Sequence, residues 1–236
     1  MSVQPSTPLG SHKDWRRLYA VGSAAAAAYV VLVLVPIVLV FAAPVPPTTG
    51  GPLLAYIVEN RAVYLIELVC FVGLAVPGLV VFAALGVALR SADLGIAALG
   101  GLIGVASETI ALALGSSPQS LHGGLVVLAN RYAQTDSAAE RASLASSADA
   151  LIASTNAVSW AGILTAAAIL MLSLLMRGAG WGARLAAFGI LTGALGIVAE
   201  ALRPLIGASY ALYGLLLPIW FGLVGWKLLG CARPSH

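Results

Sequence analysis

The sequence predicts an all-helical integral membrane protein, a six-helix bundle with both termini on the cytoplasmic side. Three observations lead there. Of its 236 residues, 60% are hydrophobic and only 9% charged, with a mean hydropathy of +0.99, too few charges to cover a water-facing surface. Six apolar stretches, at 18–43, 63–89, 94–114, 157–176, 185–206 and 210–229, approach or exceed the roughly 20 residues that cross a bilayer core. Finally, the basic residues collect on alternate sides of those stretches. Helices are required because lipid supplies no partner for the backbone, and the short alternating segments of a barrel do not occur.

Taken in order, residues 1–14 are polar and read as a flexible cytoplasmic N-terminus. Trp15, Arg16, Arg17 and Tyr19 form an interfacial anchor, with rings at headgroup depth and positive charge on the inner side. The first apolar stretch exceeds the ~7–15 residues of a signal-peptide core. Although Val40-Phe41-Ala42 resembles a cleavage site, Pro44 follows, so the segment reads as a retained span. Proline and glycine fill the link at 43–52 and predict a non-helical loop. Short links at 90–93 and 177–183 make spans 2/3 and 4/5 hairpins. Residues 15–230 form one domain, and 231–236 a cytoplasmic tail.

The outer segment 116–155 is too long to be a simple connection. Ser137-Ala138-Ala139-Glu140 is a capping box in which each terminal side chain takes the other's amide. Leu144, Ala148, Leu151 and Ile152 then share one helical face. An earlier piece from Pro118 carries Leu121, Leu125, Val126 and Leu128, weakened by Gly123 and Gly124. Two short amphipathic helices are expected, lying as a lid across the outer mouth or resting on the headgroups.

Lys13, Arg16, Arg17, Arg90, Arg177, Arg184, Lys227 and Arg233 fall on the side of the termini, against Arg61, Arg131, Arg141 and Arg203 opposite. This positive-inside bias sets the orientation in a cell membrane. The net charge of +3 forms no basic patch with interleaved aromatics, which excludes a nucleic-acid partner.

Within this apolar background stand Glu67, Glu108 and Glu200, all placed in the outer half of the bilayer. A carboxylate in hydrocarbon faces a protein interior, a cavity or a partner. Glu108 and Glu200 each fall about six residues, or ~9 Å, inside their spans. Arg203 shares a helical face with Glu200 at i+3. Burial disfavours the ionised form and a nearby guanidinium favours it. Glu200 is therefore expected to stay charged, and Glu108 is the better candidate for a neutral, proton-exchanging acid. Asn156, Ser159 and Trp160 start span 4, and His122 opens the outer segment. Each has a structural alternative: an ion pair closing spans 5 and 6 for Glu200–Arg203, pairing with Arg61 or snorkelling for Glu67, and bonds to Asn156 or a serine for Glu108.

One internal repeat is visible. Gly101-x-x-Gly104-x-x-x-Glu108 parallels Gly193-x-x-Gly196-x-x-x-Glu200. Small residues at that spacing let helices approach closely, and a duplicated hairpin would place the two carboxylates quasi-symmetrically. Pro36, Pro77 and Pro218 are tolerated kinks. Serine-hydrolase, zincin and phosphate-loop motifs are all missing, and no cofactor motif is present. A glutamate set with His122 suits a hard cation, but the pattern names no metal. Cys70 and Cys231 lie too far apart along the fold to pair.

Trp15-Arg16-Arg17-Leu18-Tyr19, Ile66-Glu67-Leu68, Ala88-Leu89-Arg90, Ser107-Glu108, Ala139-Glu140-Arg141-Ala142 and Ala150-Leu151 together resemble a bacterial multi-pass membrane family, the domain-of-unknown-function family numbered four-three-eight-six. That resemblance spans nearly the whole chain and implies six helices with no established activity. Glu200-x-x-Arg203 has no counterpart in it.

The functional expectation is a membrane protein that binds or moves a small solute, ion or proton through an outward-facing polar pocket. Glu108, Glu200, Arg203, Glu67, Asn156 and His122 would be its site residues. The alternatives are an accessory subunit whose glycine faces meet a membrane partner or a second copy, and a lipid-modifying or hydrolytic enzyme. The enzyme ranks last, since no catalytic set is legible.

Overall fold

The computed structural model describes residues 15–41, 43–114 and 123–233. The described residues form α1 (Arg16–Leu39), α2 (Gly50–Glu59), α3 (Arg61–Gly73), α4 (Ala75–Ala88), α5 (Leu94–Leu114), α6 (Gly124–Gln134), α7 (Ala138–Thr155), α8 (Trp160–Met176), α9 (Ala183–Ala201), α10 (Arg203–Ile206) and α11 (Tyr210–Ala232). Six helical segments are long and apolar enough to cross a membrane: α1, α3 continued by α4, α5, α8, α9 and α11. The chain is thus an all-helical, multi-pass membrane protein, as its composition required.

The spans close into a ring. α1 packs on α4, α4 on α5, α5 on α8, α8 on α9, α9 on α11, and α11 returns to α1. Tyr29, Phe82, Ile169, Leu172, Trp220 and Phe221 fill its core, with Tyr29 stacked on Phe221 at 3.8 Å between ring centroids. Glycine permits the close approaches that apolar packing in lipid requires. A Cβ on Gly101 would lie 3.1 Å from the Gly86 Cα. One on Gly193 would meet the Leu170 nitrogen at 2.6 Å and the Ala166 oxygen at 2.7 Å.

One end of the ring carries Arg16, Arg17, Arg90, Arg177, Arg184, Lys227 and Arg233, most of the basic residues among those described. There Arg90 lies over the Trp15 ring at 5.2 Å, a cation–π contact joining the end of α4 to the start of α1. Gly22 also packs on Ala84 and Leu228 at this end. The polar side chains considered below gather toward the opposite end.

Four local features depart from expectation, each for a physical reason. The link 43–52 is not wholly a loop, because α2 begins at Gly50. Pro52 sits in the first turn, where no intrahelical amide donor is needed, so the proline reads as a helix start. Span 2 breaks at Leu74, since Pro77 has no N–H to give the Gly73 carbonyl. Span 5 ends at Ala201 rather than near Ile206, because Pro204 likewise cannot donate to the Glu200 carbonyl. The capping box is half formed. Ser137 Oγ accepts the Glu140 amide at 3.3 Å, but the Glu140 carboxylate instead takes the Thr135 hydroxyl at 2.6 Å.

The segment expected at 116–155 contains two helices where it is described, α6 and α7, with Leu144, Ala148 and Ile152 buried on one face; Pro118 and Leu121 lie outside the described residues. The two helices pack with α2 into a second apolar core that includes Leu54, Ile57, Tyr64, Leu68 and Leu125. The Gly50 amide donates to Asp149 Oδ1 at 2.6 Å. A side chain on Gly50 would run into the Ala145 carbonyl, so only glycine lets α2 start against α7. Asp149→Ala removes the acceptor at that helix start. It is expected to cost about 1 kcal/mol, the usual value of an N-terminal cap. Hydrogen exchange checks this: α2 and α7 amides should exchange faster while α8 and α9 keep their protection.

Candidate functional site

Where the six spans diverge at the end away from the basic cluster, they enclose a cavity of about 280 Å³. Its wall takes Tyr29 from α1, Phe71 and Ala75 from the α3/α4 break, and Glu108 and Ala111 from α5. Ser159, Gly162 and Thr165 come from the start of α8, Glu200 from α9, Arg203 from α10, and Tyr210, Tyr213 and Pro218 from α11. Every span contributes. Most of the wall is apolar, so the few polar groups are conspicuous.

Glu108 is buried in the last two turns of α5 and sits over Gly78 of α4, whose Cβ would lie 2.9 Å from the Glu108 Cδ. A hydroxyl chain leads away from it. Thr165 Oγ1 lies 3.3 Å from Glu108 Oε1, Ser107 Oγ lies 2.8 Å from Thr165 Oγ1, and Ser107 Oγ reaches the Gly104 carbonyl at 2.9 Å. Each hydroxyl has one proton to give. With Glu108 ionised, Ser107 donates to Thr165 and Thr165 to the carboxylate. With Glu108 protonated, the chain runs the other way, from the carboxyl to Thr165, to Ser107, to the Gly104 carbonyl. Both protonation states are satisfied by rotating hydroxyls alone.

Glu200 is held differently. Tyr210 Oη donates to Glu200 Oε1 at 2.6 Å, and Arg203 Nη1 lies 3.5 Å from Oε2. The guanidinium also covers the Tyr210 ring at 4.9 Å. Because α9 stops before Pro204, Arg203 turns back over Glu200 from the next short helix. The carboxylate rests on Gly162 of α8, where any Cβ would run into it.

The two acids are therefore built alike. In hairpin α4/α5 a glutamate lies in a glycine notch of the preceding helix, and hairpin α8/α9 repeats the arrangement. The notch glycines, Gly78 and Gly162, are not those of the Gly-x-x-Gly-x-x-x-Glu pair seen in sequence, whose glycines meet other neighbours such as Phe82 and Leu170. The two acids differ in partners among the described residues: Glu200 has a cation and a phenol, whereas Glu108 has a hydroxyl chain.

The other expected residues lie elsewhere. Glu67 is buried in α3 and does not line this cavity. It neither pairs with Arg61, which donates to Asn130 Oδ1 at 2.8 Å, nor snorkels to water. Its Oε2 has no hydrogen-bond partner among the described residues, and neither has the hydroxyl of Tyr56 in α2, whose phenol is pushed above its usual pKa by burial and, second, by the Glu67 charge. Asn156 is exposed at the end of α7 and makes no contact with Glu108. His122 lies outside the described residues. Tyr29, Thr165, Tyr210 and Tyr213 were not singled out by sequence, since one hydroxyl in an apolar span gives no periodic signal. Tyr213 is buried, and its hydroxyl has no hydrogen-bond partner among the described residues. Those residues also contain no group of three His, Cys, Asp or Glu side chains suited to a metal.

No family model, curated protein or solved structure matches the chain, so the site must be read from its own chemistry.

Proposed function

We propose that this protein binds or translocates a small solute, ion or proton through the cavity between its six spans. The observation that carries this reading is the convergence of Glu108, Glu200 and Arg203 on one cavity between the spans. Ionisable groups at membrane depth mark solute and proton pathways, and a concave apolar site with a few converging polar groups is the usual form of a ligand pocket. The asymmetry of basic residues supports cytoplasmic termini in a bacterial cell membrane, with the cavity facing outward. Membership of the four-three-eight-six family belongs to the same proposal and rests on the short motifs given above.

The accessory-subunit alternative needs glycine faces free for a partner. Gly100, Gly101, Gly104, Gly189, Gly193 and Gly196 instead pack within this chain, which favours the pocket.

Thermal unfolding of the detergent-purified protein, scanned across pH, ions and small solutes beside Glu108→Gln, tests the reading. A solute at 100-fold its dissociation constant contributes about 2.7 kcal/mol, a visible rise in midpoint. That rise should vanish in Glu108→Gln. A variant merely less stable, with no solute response in either protein, would favour the accessory subunit.

A further inference from the structure

Resting on that reading, we infer that the cavity takes a small organic ammonium ion and exchanges it for a proton on Glu108. With both carboxylates ionised, two negative charges share a cavity whose lining holds one cation among the described residues, the Arg203 guanidinium, and that group is already paired with Glu200. One negative charge, on Glu108, remains to be answered in an apolar surrounding, where an uncompensated charge is costly. A proton answers it, and so does a cation. The hydroxyl chain of Thr165 and Ser107 accommodates either state without moving the backbone.

The rest of the cavity selects among cations. A small, strongly hydrated inorganic ion wants a shell of oxygen ligands, whereas this wall is chiefly apolar and aromatic. Tyr29 and Phe71 contribute aromatic side chains to the lining, and although one face of Tyr29 is stacked on Phe221, aromatic surface of this kind stabilises an alkylammonium by cation–π attraction. Tyr213 supplies an independent sign of a missing ligand: it is 3% exposed, lines the cavity, and its hydroxyl has no partner among the described residues. An ammonium N–H supplies a donor for the Tyr213 oxygen. At about 280 Å³ the space lies just below the usual range of ligand pockets, which suits a small organic cation.

In the exchange, the Glu108 carboxyl gives its proton to water as the ammonium enters, and the carboxylate and ammonium pair. No covalent bond to carbon changes. The other charged and titratable groups that line the cavity with Glu108 are Tyr29 from α1, Glu200 from α9, Arg203 from α10, and Tyr210 and Tyr213 from α11. Lower pH protonates the carboxylates and weakens ammonium binding.

The test compares butylammonium, butyrate and butanol as probes on the full-length protein in detergent, reading both thermal stabilisation and proton release with an indicator dye. Butylammonium is expected to stabilise the protein and release a proton per cation bound. Glu108→Gln should abolish proton release and weaken binding roughly ten- to hundredfold, the value of one charged hydrogen bond. Tyr213→Phe should weaken binding while keeping proton release, which separates ligand loss from damage at Glu108. Stronger binding of butyrate or butanol, or butylammonium binding without proton release, would overturn the exchange and leave a solute pocket standing. If none of the probes stabilises the protein but another solute does, the ammonium class is wrong. If no solute of any class does, the pocket reading falls with it.

Discussion

Gly193→Ile is expected to prevent the protein from assembling its ring. An added Cβ at this position would lie 2.6 Å from the Leu170 nitrogen and 2.7 Å from the Ala166 oxygen. Both are backbone atoms of α8, so no side-chain rotation relieves the overlap and the two helices must part. A single methyl in a tight core costs about 1–3 kcal/mol, and a branched chain against a backbone lies at or beyond the upper end. The seam between α8 and α9 also holds Glu200 on Gly162, so its opening dismantles half of the cavity wall. Gly230→Ala is the control, because nothing lies within 4 Å of its added Cβ. In detergent the Gly193→Ile variant should be recovered mostly aggregated or with a greatly lowered unfolding midpoint, and Gly230→Ala should behave as the parent. Equal midpoints for the two would mean the helices do not approach as described.

A second large effect is expected at the Glu200 notch. In Gly162→Ala the new methyl collides with the carboxylate. That group is tied down by the Tyr210 hydroxyl and the Arg203 guanidinium. Displacing it breaks a charge-assisted hydrogen bond, worth about 1.5–3 kcal/mol, besides the packing strain. Removing the carboxylate first should remove most of the penalty. Gly162→Ala measured in a Glu200→Ala background should therefore cost much less than in the parent, with a coupling of about 1–3 kcal/mol between the sites. Additive effects on the unfolding free energy would show that the glycine is not there for the glutamate. Gly78→Ala with Glu108→Ala is the equivalent pair in the other hairpin. Its coupling should have the same sign and be smaller, since that contact is looser at 2.9 Å.

Much of this was legible in the sequence because lipid makes helix length and hydropathy decisive. Spans such as Leu94–Leu114 could be bounded within a residue or two. Proline was harder to read. Pro52 opens a helix, Pro77 interrupts one and Pro204 ends one, and only the surrounding backbone distinguishes the three. Glu108 and Glu200 stood out because any carboxylate in an apolar run does. Their shared glycine-notch setting was half visible, in the repeat on α5 and α9 but not in Gly78 and Gly162 on the opposing helices. Tertiary pairing alone brings those glycines in. Glu67 shows the opposite limit: its depth suggested the same pocket, but it is buried on α3 away from the cavity lining. Arg203 reached Glu200 as spacing implied, although across a helix break. Isolated hydroxyls such as Thr165 and Tyr213 left no pattern, because their role depends on which helices meet.

The proposed pocket requires a water-accessible, electronegative cavity open to one face of the membrane. The most direct measurement is thiol labelling at Ala111, which lines the cavity between Glu108 and the end of α5. The substitution Ala111→Cys would be made in a chain carrying Cys70→Ala and Cys231→Ser and reconstituted in oriented vesicles. Membrane-impermeant thiosulfonate reagents should modify the position only from the face opposite the termini. The ammonium reagent should react faster than its sulfonate counterpart, and Glu108→Gln should narrow that difference. No modification from that face, or equal rates for the two reagents, would contradict the account.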